Sequence, residues 1–142
     1  MTTYNSMSLS DFIPLDRLEG ALLAAAVGDA LGWPNEIPSK RADKAKDDTK
    51  IEYGFRRWMR RAGGRYWDHL ETINPGEYSD DTQLMLATAR SLLNRDNWFA
   101  QFTQQELPAW LLYERGGGKS TRAAARKWGK GIPAWEDKDP ND

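Results

Sequence analysis

A chain of 142 residues with 20 basic and 21 acidic side chains and 39% apolar residues is sized for one domain with one modest core. Its net charge of -1 gives bulk electrostatics no bias toward nucleic acid, and the absence of cysteine excludes disulfides, thiolate metal sites and a Cys nucleophile. The longest apolar run, Ala21 to Leu31, is short and carries Asp29, so no membrane span is expected. Met1 to Asp11 lacks the basic start and apolar block of a signal peptide, and a cytoplasmic location is the expectation.

Residues 1–14 are polar and end in Ile13-Pro14, which predicts a loose arm that docks through Phe12 and Ile13. Asp16 is placed to cap a helix running to about Leu31. Leu15, Leu18, Leu22, Leu23, Ala26, Val27, Ala30 and Leu31 recur at spacings of three and four and give that helix an apolar face. Gly20, Ala21, Ala24, Ala25 and Gly28 leave little bulk elsewhere, so close approach from several sides, and a central position, are expected. Asp29 stands near the C-terminal end, where the helix dipole disfavours an acid. A buried hydrogen bond or a cation is expected to offset it.

Gly32-Trp33-Pro34-Asn35-Glu36 breaks this helix, and residues 38–49, rich in Lys, Arg and Asp, predict a solvated excursion. Between 51 and 67, Tyr53, Phe55, Trp58, Met59 and Trp67 are interleaved with Arg56, Arg57, Arg60, Arg61 and Arg65. Trp58 and Arg61 are expected on a short helix that Gly63-Gly64 ends. These residue types suit stacking on single-stranded nucleic acid or facing the phosphates of a nucleotide. The balanced charge and the absence of a nucleic-acid motif favour a solvated basic face with its tryptophans packed on the core, and argue against a nucleic-acid partner. His69, the only histidine, is given no role.

The most informative stretch is Pro75-Gly76-Glu77-Tyr78-Ser79-Asp80-Asp81-Thr82-Gln83-Leu84. A Pro-Gly turn precedes four oxygen-bearing side chains, and an apolar-periodic run follows to Leu93. Ser79 suits an N-cap, and acids in a first helical turn are stabilised by the dipole. Hydroxyl and carboxylate oxygens are also hard donors for magnesium, calcium or manganese. One turn can serve both purposes. The helix is expected from Asp80 to about Asn94, burying Leu84, Met85, Ala87, Leu92 and Leu93. Asn97 is placed to cap the next helix, and Thr103 to Glu106 has capping-box spacing for a restart before Pro108. Gly116-Gly117-Gly118 leads into an alanine-rich helix to about Trp128. Glycines and Lys119 before a helix N-terminus can hold a phosphate, although Tyr113 breaks the Walker A spacing. The same pattern also suits a helix C-cap followed by a new N-cap. Residues 129–142 read as a polar tail.

Three of these pieces together resemble the ADP-ribosylglycohydrolases. Gly20 to Gly32 with Glu36 is similar to the family's opening helix. Tyr78-Ser79-Asp80-Asp81-Thr82-Gln83-Leu84 is similar to its first metal motif. Gly116 to Thr121, with the Trp110 region before it, resembles the glycine-rich segment that follows. The resemblance covers residues 16–128 and implies an all-α fold, an orthogonal helical domain matching the N-terminal half of the family fold over residues 15–128. It implies a centre of two magnesium ions and hydrolysis of the bond joining ADP-ribose to an acceptor. Carried over, Ser79, Asp80 and Asp81 match metal ligands, and Glu36 matches the acid near the scissile bond. Asp29 aligns with a family Asp and takes a supporting structural role. Gly117, Gly118 and Ser120 are then expected to hold the pyrophosphate of an ADP-ribosylated substrate or of ADP-ribose.

Family members are considerably longer and carry a second motif, Asp-x-Asp-Thr, that completes both metal sites. This sequence has none; Asp137-Lys138-Asp139-Pro140 shares only the spacing of the acids. Ser79, Asp80 and Asp81 cannot fill two six-oxygen shells. Three expectations follow: one half of an enzyme completed by a complementary chain, a nucleotide- or protein-binding module without catalysis, or a structural relative. Unmet apolar surface, with a homo-oligomer or a larger partner to cover it, is expected in each case.

Overall fold

A computed structural model of the chain describes residues 14–36, 53–63, 66–67 and 69–135. The expected arm up to Ile13, the excursion at 38–49, Gly64 and Arg65 lie outside the described residues.

Helix α1 spans Leu15–Gly32 and starts on Pro14, whose carbonyl accepts from the N–H groups of Arg17 and Leu18. Asp16 lies inside the first turn and caps nothing, contrary to expectation. Pro14 takes the N-cap position instead, and Asp16, two residues past it and too far along to cap, meets the positive end of the helix dipole. The expected central position is not met among the described residues. Leu15, Leu18, Leu22, Leu23 and Val27 are all exposed, and Ala30 alone is buried. A helix with apolar residues on most of its circumference normally has neighbours there.

After the turn at Trp33–Asn35 and Glu36, the described chain resumes as an antiparallel hairpin, β1 (Trp58–Ala62) with β2 (His69–Ile73). This corrects the short helix expected at Trp58 and Arg61. The residues alternate: Trp58, Arg60 and Ala62 are half-buried while Met59 and Arg61 are exposed. The register puts Arg60 opposite Glu71, and the pair closes at 2.7 Å. A period of two with cross-strand pairing overrides the weak helical spacing. The inner face lies on Trp33, which meets Trp58 edge-on at 5.3 Å.

Asn74-Pro75-Gly76-Glu77 forms a tight turn in which the Glu77 N–H donates to Asn74 O, with Gly76 at φ 83°. Proline second and a left-handed glycine third is the type II arrangement. Helix α2 (Asp80–Leu92) follows and buries Thr82, Gln83, Ala87 and Ser91. Leu92 and Leu93 are exposed instead of buried. The buried row repeats at about four residues and is largely polar, and the side chains of Thr82 and Gln83 are hydrogen-bonded there.

Asn97 occupies the next N-cap without a side-chain bond. Helix α3 (Trp98–Gln101) passes through a π-turn, Phe102–Glu106, directly into α4 (Leu107–Trp110). The expected restart at Thr103 is thereby corrected. Thr103 Oγ1 donates backward to Phe99 O at 2.8 Å, and the Leu107 N–H reaches back to Phe102 O. The wide turn takes up the misfit around Pro108, which has no N–H to donate. Helix α5 (Lys119–Gly129) packs across this unit. Leu107, Trp110 and Ala125 form the buried centre, flanked by Leu84, Phe102, Leu111 and Trp128. The first part of the expected tail is packed as well: Ile132 is buried and Trp135 stacks on Phe99. Helices dominate, as the all-α expectation holds, with one hairpin added.

Candidate active site

Asp29 solves its unfavourable position at the end of α1 by accepting four hydrogen bonds. Oδ1 takes the Ser79 hydroxyl at 2.6 Å. Oδ2 takes the Thr82 hydroxyl at 2.6 Å and the N–H groups of Ser79 and Thr82 at 3.0 Å each. The offset is thus hydrogen bonding, one of the two expected alternatives. These N–H groups belong to the first turn of α2, so Asp29 acts as a cap supplied from another helix. Ser79 is also the local N-cap, accepting from the Asp81 N–H at the long distance of 3.4 Å.

Beside this junction lies a cleft of about 510 Å³, lined among others by Gly28, Asp29, Gly32, Trp33, Glu36 and Asp81. Glu36 and Asp81 are therefore brought together in its lining, and both are exposed. Ser79 is buried behind them, and Asp80 is half-buried. Partial burial raises the Glu36 carboxyl above its ordinary value, and the neighbouring Asp81, Asp80 and Asp29 raise it further. Burial likewise raises Asp80; its backbone N–H draws it back, and Asp81, Glu114 and Asp29 push it up again. No Lys or Arg is among the described residues that line the cleft. Arg60 and Arg115 lie over the Trp33 ring, at 5.3 and 5.4 Å from its centre. Arg60 is engaged by Glu71, and Arg115 by Glu77 and Glu71. Mutually opposed carboxylates with hard oxygens and no lining cation fit part of a divalent-ion shell. They fit only part of one: among the described residues no group of three Asp, Glu, His or Cys is arranged to hold a metal by itself.

The glycine-rich segment reaches this site through Gly116. A Cβ there would stand 3.1 Å from Asp80 Oδ1 and 3.2 Å from Trp33 Nε1, and its φ is +92°. Gly117 packs against the Trp110 ring, and its N–H donates to Glu114 Oε2 at 2.9 Å. Gly118 and Ser120 are exposed at the start of α5 and do not line the cleft. Glu114 also holds Arg122 at 2.8 Å.

Gln83, part of the motif at residues 78–84 but given no role there, ties the segment to α2. Its Oε1 accepts from Trp110 Nε1 and from the Arg115 N–H, and its Nε2 donates to Tyr113 O at 2.8 Å. The sequence signals are its place right after Thr82 and, for Glu114, its place one residue short of the three glycines, with Arg115 between.

The profile of the family described as ADP-ribosylglycohydrolase matches residues 11–142. An ADP-ribosyl-[dinitrogen reductase] glycohydrolase from Rhodospirillum rubrum is 35% identical over 96 residues, a stretch that is 68% of this chain and 29% of that protein. No solved structure matches significantly.

Proposed function

This chain belongs to the ADP-ribosylglycohydrolase family, and from that membership we propose that its site serves magnesium-dependent hydrolysis of the bond between ADP-ribose and an acceptor, completed by a complementary polypeptide. The observation that carries the reading is the meeting of Glu36 and Asp81 in one cleft beside Asp80, with the Glu36 carboxyl raised by burial and by those acids.

Each residue has work of its own. Breaking a ribosyl bond develops positive charge at the anomeric carbon, which a carboxylate cleft stabilises. Glu36 lines the cleft, where it takes a proton from the attacking water, and its raised affinity for protons suits a base working nearer neutrality. Ser79, Asp80 and Asp81 offer the oxygens for magnesium. Magnesium, when bound, supplies charge and a fixed geometry for ribose hydroxyls and water. The pyrophosphate is assigned to the start of α5, where Gly118 and Ser120 are exposed beside Lys119 and no acid occupies the first turn. Gly117 contributes there by shape, since its N–H is held by Glu114.

One observation favours a second reading, a nucleotide- or protein-binding module: the described residues hold no self-sufficient metal group. Release of ADP-ribose from ADP-ribosyl-arginine separates the two. The assay is run with magnesium, with and without a chain carrying an Asp-x-Asp-Thr segment. Turnover that disappears in Asp80→Ala plus Asp81→Ala supports the hydrolase. No turnover in either condition, with ADP-ribose still bound, supports the module.

A further inference from the structure

We infer that Asp29 is a positioning residue that fixes the polarity of the Ser79 hydroxyl, so that this oxygen can act only as an acceptor toward a cation. The inference rests on the proposed cation-binding role of Ser79. The geometry is asymmetric. Asp29 Oδ2 collects three donors, the N–H groups of Ser79 and Thr82 and the Thr82 hydroxyl. Asp29 Oδ1 is engaged by the Ser79 hydroxyl at 2.6 Å. A hydroxyl has one hydrogen and two lone pairs. With the hydrogen committed to Asp29, Ser79 Oγ offers only lone pairs elsewhere. Among the described residues its one other hydrogen bond is from the Asp81 N–H at 3.4 Å, too long to saturate it. Carboxylates that orient a cation's ligand commonly change affinity by about 10- to 100-fold when altered.

Asp29→Asn tests this at one atom. Three donors hold the amide oxygen in the Oδ2 position, which leaves the NH2 group facing Ser79. The hydrogen bond must then reverse, and the Ser79 hydrogen turns outward against any cation. The experiment uses the whole chain and Mn²⁺ as the probe, titrated by electron paramagnetic resonance. Proton NMR follows the Ser79 hydroxyl, and thermal melting reports folding. Expected are a slowly exchanging Ser79 hydroxyl in the unmodified chain, its loss in Asp29→Asn, and Mn²⁺ affinity weakened about ten-fold or more. Asp29→Asn with Ser79→Ala should bind no more weakly than Ser79→Ala alone, because both act through one oxygen. A purely architectural Asp29 would add its loss to that of Ser79→Ala, and this result, or unchanged affinity in Asp29→Asn, overturns the inference. If the unmodified chain takes up no Mn²⁺ even with a chain carrying an Asp-x-Asp-Thr segment present, the cation reading of the site fails. The hydroxyl then decides alone: slow exchange abolished by Asp29→Asn upholds the positioning, and fast exchange in the unmodified chain refutes it. Should Asp29→Asn not fold, Ser79→Thr must keep both the slow hydroxyl and the affinity that Ser79→Ala loses; fast exchange in Ser79→Thr, or Ser79→Ala binding as the unmodified chain does, sinks the idea.

Discussion

Replacing Gly117 by alanine adds one methyl group where there is no room for it. The new carbon would lie 2.5 Å from Trp110 Cη2, 2.8 Å from Trp110 Cζ2 and 3.0 Å from Glu114 Oε2. Carbon atoms rest at about 3.5–4.0 Å, so the overlap with the ring is close to ~1 Å. Trp110 cannot swing away cheaply: it is fully buried and its Nε1 is held by Gln83 Oε1 at 3.1 Å. The loop must move instead, which breaks the Gly117 N–H bond to Glu114 and lifts Gly116 from Asp80. Overpacking of this kind costs about 1–3 kcal/mol, and a lost charge-assisted hydrogen bond adds to it. Gly118 is the internal control, since a Cβ there meets only Thr121 Oγ1 at an ordinary 3.9 Å. Urea unfolding should therefore show Gly117→Ala destabilised by about 2 kcal/mol or more, and Gly118→Ala close to the unmodified chain. Equal midpoints for the two variants would refute the close packing of this loop on Trp110.

Gln83→Leu leaves the buried Trp110 Nε1 and the Arg115 N–H without their shared acceptor, and should cost about 2 kcal/mol or more in the same assay; a loss near zero contradicts the network. Glu36→Gln gives a pH-dependent gain. The folded Glu36 carboxyl is raised above its ordinary value of 4.5, so its favourable contribution is present at low pH and is lost as pH rises through the folded value. Glutamine removes that loss: stability at pH 7 should exceed that of the unmodified chain by less than ~1 kcal/mol, given solvent screening at an exposed group, with the difference vanishing near pH 4 or below. Stability lower than the unmodified chain at pH 7 would reverse the sign. Leu18→Glu with Leu22→Glu places charges on the exposed flank of α1. Sedimentation should show the unmodified chain associating and the variant monomeric with an unchanged melting temperature; a monomeric unmodified chain at every concentration would contradict an adhesive α1.

Helices α1, α2 and α5 were legible because spacing, turn residues and breakers agree there. Ser79 announced the start of α2, and Pro75-Gly76 announced the turn before it. The hairpin was not legible, because Trp58 and Arg61 suit a helix as well as a strand, and the pairing of Arg60 with Glu71 is a contact between distant residues. The π-turn escaped for the same reason: Thr103 and Glu106 have capping-box spacing, yet the helix continues through Pro108 by widening. Within the site, Asp81 could be named from residue type and Glu36 from the family resemblance, but the four bonds gathered by Asp29 depend on α1 meeting α2, which local sequence does not encode. The exposure of Leu92 and Leu93 has a related origin. Periodicity identifies an apolar face, while the demands of Thr82 and Gln83 decide which face of α2 turns inward.

Two unmet demands converge on the last turns of α1. Val27, half a turn before the junction, is exposed, as are the leucines toward the N-terminal end. Gly28, Asp29 and Gly32 of the same helix line a cleft whose acids oppose one another. Apolar surface calls for a packed neighbour, and crowded carboxylates call for positive charge. On the proposed reading, a complementary polypeptide laid along α1 would meet the first demand and lie next to the cleft where the second arises. Since Asp29 joins α1 to the turn that bears Asp80 and Asp81, covering the helix and organising the acids are linked through one side chain. Partner binding and cation binding should therefore strengthen one another by the same factor, whichever is added first.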